Sequence, residues 1–508
     1  MAANDSADVL ICGAGPAGLT LAIELARRGV SFRLIEKMAA PFPGSRGKGI
    51  QPRTLEIFED LGILDRLMAA GGPYPLAREY RRDGTRRERA FMEHADPAPH
   101  EPYPMTWLVP QFATESALRE RLLELGHRPT FGCALVGFAQ DGDAVSARLA
   151  DDNGEEVVRA RYLVGADGGS SFVRRGLEID FPGKTLGVRG LVADVALTGL
   201  GRDVWHQFCA DAAGRQIALC PLPGTDLFQL QTAVALEGDI DLSAVGLNAL
   251  VAELTGRRDI RVRSAPWASA FHMNARLADH YRAGRVFLIG DAAHTHPPTG
   301  GQGLNTSIQD AYNLGWKLSA VIAGAPESLL DTYEDERRPI AAGMLGLTAK
   351  LLAAALERDE NRRGREIRQL DLGYSNSTLS FSTPPRTSGP AAGDRAPDAP
   401  IRGAGGATTR LFELFKGTHW TLLGYEAERR AAIARPGLRI HMLGAAGELI
   451  DEHGHFRAAY AVTPGTWVLV RPDGYIAAVV PSDGLGALES YLGTAGLGMN
   501  VRPAGVQT

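Results

Sequence analysis

Cysteine is scarce in this chain: four in 508 residues, Cys12, Cys133, Cys209 and Cys220, with no CxxC pair and no metal-ligand spacing. That argues against a disulfide framework and a cysteine-based zinc site, and the thiols read as reduced and mostly packed. A basic surplus is also lacking. The 54 Lys+Arg against 59 Asp+Glu leave a net charge of −5, which provides no electrostatic footprint for nucleic acid or an anionic membrane. No apolar run approaches the roughly 18 residues that a membrane span needs. The first apolar strand begins by residue 8, which leaves no room for a signal peptide, so the expected location is cytoplasmic. His294 and His296 have no cluster of acidic or cysteine partners nearby to complete a metal site, and they read as a backbone-ordering turn.

What remains is an ordinary globular composition, 44% hydrophobic and 22% charged, in a chain long enough for two or three domains. Asp8-Val-Leu-Ile-Cys12 has the composition of a buried parallel strand. It runs directly into Gly13-Ala14-Gly15-Pro16-Ala17-Gly18. In such a loop the first glycine permits a tight turn, the second lets a pyrophosphate reach the backbone, and the third lets helix and strand pack closely. Leu19, Ala22, Ile23 and Ala26 then recur at helical spacing, and the start of that helix would turn free N–H groups toward phosphate. The next strand ends at Glu36, with Lys37 beside it. A carboxylate there accepts from a ribose hydroxyl. NAD and FAD both carry an adenosine ribose, so Glu36 alone does not choose between them.

The choice comes from Arg285-Val-Phe-Leu-Ile-Gly290-Asp291, a second apolar strand ending in small residues and an acid, 277 residues after Gly13. Two such transitions so far apart suggest one extended ligand gripped at both ends, and FAD fits better than NAD. Between them, Arg161-Tyr-Leu-Val-Gly165-Ala-Asp167-Gly168 repeats the pattern of strand meeting acid. Ser45-Arg46-Gly47-Lys48-Gly49 puts cations on a loop after the second strand. Pro297-Pro298-Thr-Gly300-Gly301-Gln302-Gly303-Leu304-Asn305 runs straight into a helix, whose N-terminus would stabilise negative charge on a ligand.

Along the chain, residues 1–180 alternate strand and helix patterns, as in a doubly wound sheet. Helices are predicted over 52–61, over 114–125 with a cap at or near Thr114, over 306–323 and over 328–358. Short alternating runs such as Phe228-Gln-Leu-Gln-Thr232 predict a half-exposed antiparallel sheet over 181–271. The segment 373–409, rich in Gly, Pro, Ser and Thr, reads as a linker, and 410–508 as a compact tail domain with a helix over 426–434.

Together and in this order, the three acid-bearing turns resemble the fingerprints of the class A flavoprotein monooxygenases, the single-component aromatic hydroxylases that include para-hydroxybenzoate hydroxylase. The resemblance covers about residues 8–350 and includes Asn305, Asp310, Asn313, Trp316 and Lys317 after the flavin-proximal loop. It implies an α/β fold. A Rossmann-like (GR2-type) FAD-binding domain would be built from 1–180 plus 272–372, with an inserted antiparallel-sheet substrate domain over 181–271. The tail, with Trp420-Thr-Leu-Leu-Gly424 and the turn Arg471-Pro-Asp-Gly474, looks like the thioredoxin-like domain of larger hydroxylases of phenols, polyketides and rifamycins. It has no cysteine, so a structural or homodimer-forming role is expected of it.

The cofactor residues so implied are Gly13, Ala14, Gly15, Pro16, Ala17, Gly18, Glu36, Lys37, Arg46, Gln111, Asp167, Gly290, Asp291, Pro298, Gly301, Gly303, Leu304 and Asn305. Arg46 is the main candidate to contact the flavin or assist its swing toward NADPH. The resemblance further implies reduction of FAD by NADPH or NADH, uptake of O2 as a flavin C4a-hydroperoxide, and oxygen transfer to an electron-rich small aromatic. Alternative readings on the same fold are a Baeyer–Villiger or epoxidising monooxygenase, or a non-catalytic FAD-binding protein. A tryptophan-type halogenase is disfavoured, because no tryptophan here has a second one two positions on. Candidate substrate-pocket residues are Gln229 and Gln231, on one face of a strand, with Trp107, His206, Trp267 and Phe271 as wall residues. No residue stands out as the base that would ionise a phenol.

Overall fold

The computed structural model describes residues 6–81, 83–209, 215–298, 300–357, 363–382, 386–429, 432–445 and 447–497. At its centre lies the strand Ser6–Cys12, whose Val9, Leu10 and Ile11 are wholly buried. Phe32–Glu36 and Gly154–Gly165 flank it in parallel. Thr130–Phe131 continues the sheet beyond the first and Val286–Leu288 beyond the second, both parallel. Because these strands run the same way, Gly13, Glu36, Ala166 and Ile289 all emerge at one sheet edge. That edge is where parallel sheets bind ligands. The chain leaves the sheet after 165 and returns at 282, so the two halves of the edge come from distant sequence.

The second sheet has eight strands, in the order His294–Thr295, Arg261–Leu277, Gly183–Thr198, Leu227–Val234, Gln216–Pro221, Trp205–Cys209, Ala77–Tyr80 and Arg86–Arg89. Leu191, Ala193, Val195, Ile217, Leu219, Phe228 and Leu230 pack one face against the helix Ala244–Thr255. The strand period of two sends Asp194 and Gln229 to the opposite face. The hairpin of 77–80 and 86–89 also joins this sheet, parallel to Trp205–Cys209, although it precedes the insertion in sequence. Burial explains it: Ala77 packs with Phe91, Trp205 and Cys220 in a small core of its own.

The third sheet runs Phe381–Ser382, Ile476–Pro481, Thr466–Val470, Trp420–Tyr425, Leu438–Leu443, Leu449–Ile450, Pro400–Gly403 and Thr408–Arg410. Three of these strands lie in or begin within 373–409, where composition alone reads as a linker. The glycines of 403–407 form a tight hairpin turn closed by Gly403 N donating to Ala407 O at 2.9 Å. The described part of 426–434 is not α-helical. The other helices expected along the chain run Pro52–Leu61, Gln111–Glu124, Gly303–Ile322 and Asp331–Glu357. The helix expected from Thr114 starts three residues earlier, behind Pro110, and Thr114 Oγ1 lies inside it. The expected helix end at Arg358 falls outside the described residues.

A buried charge cluster fastens the third sheet to the first domain. Arg471 donates to both oxygens of Glu336 at 2.6 and 2.8 Å and to Asp473 at 2.9 and 2.6 Å. Lys317 Nζ reaches Glu336 at 2.7 Å, and Trp316 Nε1 donates to Asp473 at 3.0 Å. Burial alone would raise the Glu336 carboxyl, but Arg471 and Lys317 hold it well below the usual carboxylate range. Among the described residues no helix is long and apolar enough to cross a membrane.

Candidate functional site

The glycines of the first loop do three different jobs. Gly13 has φ +109°, and a Cβ there would lie 2.3 Å from Ala166 O. A Cβ at Gly18 would lie 1.9 Å from Gly13 O, so the helix Pro16–Ala26 sits directly on the loop. A Cβ at Gly15 would meet nothing within 4 Å. Gly15 has an ordinary φ of −75° and stands at the N-cap, followed by Pro16 at the first turn. It therefore opens a cradle where the helix presents unpaired N–H groups and partial positive charge. Glu36 closes one side: its Oε2 accepts from Ala14 N at 2.9 Å and its Oε1 from Met38 N at 3.0 Å. Lys37 is exposed beside it.

The distant motifs meet this loop. Gly290 has φ +60°, and a Cβ there would lie 3.3 Å from that of Ala17 and 3.0 Å from Ser307 Oγ. Gly290 N donates to Asp310 Oδ2 at 3.1 Å, and Asp310 also takes His294 Nε2 at 2.6 Å and Arg337 Nε at 2.8 Å. His294 and His296 are therefore tied into a buried hydrogen-bond chain, His296 Nε2 to His294 Nδ1 at 2.9 Å. Asp291 keeps solvent access. The protein crowded around it pushes its carboxyl up, against the pull of His294 and Arg46. Asp167 Oδ2 accepts from Phe172 N and Val173 N at 2.6 and 3.1 Å, while its Oδ1 is buried with no partner.

Beyond Asp291 the chain folds over the loop of 45–51. Gly300 and Gly301 both have positive φ, +86° and +64°. Asn305 ties the segments together: its Nδ2 donates to Gly49 O at 2.8 Å and Gly301 O at 2.7 Å, and its Oδ1 accepts from Gln51 N at 2.8 Å. Leu304 packs against Gly47, Gly303 begins the long helix, and Pro298 is exposed. Gln111 Oε1 holds Gly47 N at 3.1 Å, and its Nε2 donates to Glu115 at 2.9 Å. Burial pushes the Glu115 carboxyl up to about 7. Arg46 is exposed, its guanidinium 5.3 Å from the centre of the Phe42 ring.

The pocket residues expected from sequence separate into groups. Gln229, Gln231, Trp267 and Phe271 share the sheet face turned toward the 42–48 loop. A Cβ at Gly44 would fall 2.1 Å from the Trp267 ring, and Gln229 Nε2 donates to Ser45 O. His206 lies on the other face, its ring held by Tyr80 OH at 2.7 Å and Gly201 O at 2.9 Å. Trp107 belongs to a separate three-stranded sheet, with its indole N donating to Leu67 O at 3.3 Å. Two residues that sequence reasoning passed over join the pocket face. Lys48 is buried, 4.0 Å from the centre of the Trp205 ring, and donates to Gln229. Asp194 is wholly buried with both oxygens unpaired, and burial pushes its carboxyl up to about 6. A lone acid within Leu191-Val-Ala-Asp194-Val-Ala-Leu197 was the available signal.

One sheet edge thus offers an open N–H cradle at Gly15, an unpaired buried oxygen at Asp167, a solvent-accessible carboxylate at Asp291, and a helix start behind two left-handed glycines. That donor and acceptor set fits a flavin dinucleotide, with phosphates at one end and sugar hydroxyls beyond, and it defines a flavoprotein. The comparisons narrow the class. Residues 6–348 match the FAD binding domain family and residues 389–495 the aromatic-ring hydroxylase C-terminal family. A flavin-dependent monooxygenase of Mycobacteroides abscessus is 42% identical over 480 residues, 93% of this chain and 97% of its own. The 12-dehydrotetracycline 5-monooxygenase/anhydrotetracycline 6-monooxygenase of Streptomyces rimosus is 34% identical, covering 96% and 98%. Aklavinone-11 hydroxylase, solved with FAD and aklavinone, superposes with a TM-score of 0.84 at 28% identity over 97% and 99% of the chains. The chain belongs to this family of FAD-binding aromatic-ring hydroxylases and is a flavin-dependent monooxygenase.

Proposed function

We propose that this enzyme hydroxylates an electron-rich aromatic, phenolic or polycyclic and polyketide-like, at the expense of NAD(P)H and O2. The observation that carries the reading is the sheet face of Trp267, Asp194, Gln229 and Gln231 lying against the loop of 42–48, which itself packs on the flavin-loop residue Leu304. Relatives named for anhydrotetracycline and aklavinone support a polycyclic substrate.

When bound, FAD would supply the redox chemistry, namely hydride acceptance from a nicotinamide and activation of O2 for transfer of one oxygen atom to the ring. The chain's own residues bind and orient. The N–H groups around Gly15 hold the pyrophosphate, and Glu36 stands where the adenosine ribose would lie. Asp291 would accept from a hydroxyl of the sugar-alcohol chain, and the start of the Gly303–Ile322 helix would offer positive potential to the pyrimidine side. Trp267, flush on Gly44, excludes water from the far side, as oxygen transfer requires. Arg46, exposed beside this loop, is positioned to contact the flavin. The tail domain, read as thioredoxin-like, acts structurally through Arg471 and Asp473.

The test is a screen of aromatics for stimulation of NADPH and NADH oxidation, followed by mass spectrometry after turnover under labelled O2. Stimulated oxidation with one labelled oxygen on the ring is the expected result. A label inserted between carbon atoms or across a double bond would move the reading to the Baeyer–Villiger or epoxidising chemistry. No turnover with any aromatic would refute it.

A further inference from the structure

The pocket face carries a hydrogen-bond chain whose direction is forced. Lys48 Nζ and Gln231 Nε2 both meet Gln229 Oε1, the second at 2.8 Å, and Gln229 Nε2 meets the carbonyl of Ser45. Lysine only donates and a carbonyl only accepts, so the Gln229 amide fits in one orientation, oxygen toward Lys48. That oxygen can receive Gln231 only through its NH2 group. The remaining end of Gln231, its Oε1, is left as an acceptor. Gln231 is half-buried, whereas Lys48 and Gln229 are sealed, so Oε1 is the terminus of the chain that a ligand can reach. Across the sheet it is flanked by Val192 and Ala218, which offer no competing side-chain donor. Burial pulls the Lys48 ammonium down from its ordinary value, while Cys220 and Asp194, the latter paired in register with Gln229 and Trp267, pull it the other way.

We propose that Gln231 Oε1 is a specificity-determining acceptor that reads a hydroxyl donor on the aromatic substrate, its orientation set by Lys48 through Gln229. This rests on the hydroxylase reading above and narrows it. The substrate carries a free phenolic or enolic hydroxyl at the position facing this strand, and a methyl ether or ketone there is disfavoured because it would leave an acceptor facing an acceptor. Lys48 and Gln229 act as positioning residues. They need not touch the substrate.

The test uses the FAD-loaded full chain and a matched pair of probes, 2-naphthol and 2-methoxynaphthalene, titrated by perturbation of the flavin absorbance. The wild type is expected to bind the naphthol about three- to tenfold more tightly, the worth of one hydrogen bond. Gln231→Leu, and Gln231→Met as a closer match in shape, should bind both probes alike. Lys48→Met removes one of the two constraints on the Gln229 amide and leaves the Ser45 carbonyl as the other, so it should shrink the preference only in part, with affinity for the methyl ether unchanged or improved. A general loosening of the pocket would instead weaken both probes together. If Gln231→Leu and Gln231→Met keep the wild-type preference, or the wild type shows none, the inference fails and the hydroxylase reading stands. If the wild type binds neither naphthalene nor any other aromatic of the turnover screen, the hydroxylase reading itself fails.

Discussion

Gly15 and Gly18 are three residues apart in one motif, yet alanine at each should do opposite things. At Gly18 the new methyl would lie 1.9 Å from the carbonyl oxygen of Gly13, a backbone atom that cannot swing aside. Helix and strand must separate, and overpacking of that kind costs about 1–3 kcal/mol or more. At Gly15 the methyl would enter open space from a backbone with φ −75°. Alanine there gains about 0.4–1 kcal/mol through the unfolded chain and loses a comparable amount as a poorer N-cap, so the apoprotein should be unchanged to within about 0.5 kcal/mol. The cost should appear only with the cofactor. The methyl occupies the cradle, and each backbone N–H withdrawn from a charged phosphate forfeits about 1.5–3 kcal/mol, a ten- to hundredfold loss of FAD affinity. Urea denaturation of flavin-free protein and fluorescence titration with FAD separate the two quantities. Gly15→Ala binding FAD as the wild type does would refute the cradle. Gly18→Ala with wild-type stability would refute the close approach.

Three other outcomes follow from the same geometry. Asp291→Ala should weaken FAD by about 1–3 kcal/mol in the same titration, since a hydroxyl loses a charged acceptor, while apoprotein stability should not fall, because the surrounding protein already pushes that carboxyl up and its ionised form gives folding nothing; unchanged FAD affinity would remove Asp291 from the site. Asp194→Asn should stabilise the protein at pH 7.5: burial raises the folded carboxyl from 3.8 to about 6, so ionising it opposes folding by up to about 3 kcal/mol above that pH, whereas below about pH 4 both states are protonated and the variant should lose its advantage in urea melts. Arg471→Met leaves Glu336 with one cation in place of two and Asp473 with none, which should cost about 3–5 kcal/mol in urea denaturation; a loss under about 1 kcal/mol would show that the cluster contributes little.

The half of this site proposed for the cofactor was legible because its requirements fall on the main chain. A glycine that must let a carbonyl approach, or an acid at the C-terminal end of a parallel strand, is written at a fixed place relative to an apolar run, and parallel topology then brings such places together whatever lies between them. Thus Gly13 and Gly290 could be linked across 277 residues, and they meet the same helix at Gly18 and Ala17. Less legible were segments whose state depends on partners. The Gly- and Pro-rich stretch of 373–409 supplies strands only because the third sheet offers them edges. The hairpin of 77–89 joins a sheet otherwise encoded a hundred residues later because Trp205 and Phe91 need covering.

The substrate half was legible only as alternation. Period two says that Gln229 and Gln231 share a face. It does not say which face looks at the loop of 42–48. That is decided by the helix Ala244–Thr255, which claims Phe228 and Leu230 and so drives both glutamines toward the loop of 42–48. The same claim carries His206 the other way, because it is registered with Leu219 on the helix side. Lys48 was hidden for a related reason. In sequence it is a cation on a polar loop, and only the Trp205 ring and Gln229 make it a buried donor. Once it is buried, it donates to the Gln229 oxygen while the Ser45 carbonyl accepts from the other end, and together they fix two amides in turn. The polarity of the pocket's exposed terminus is therefore set by a residue that never reaches the surface, a relation between three chain segments that no local pattern encodes.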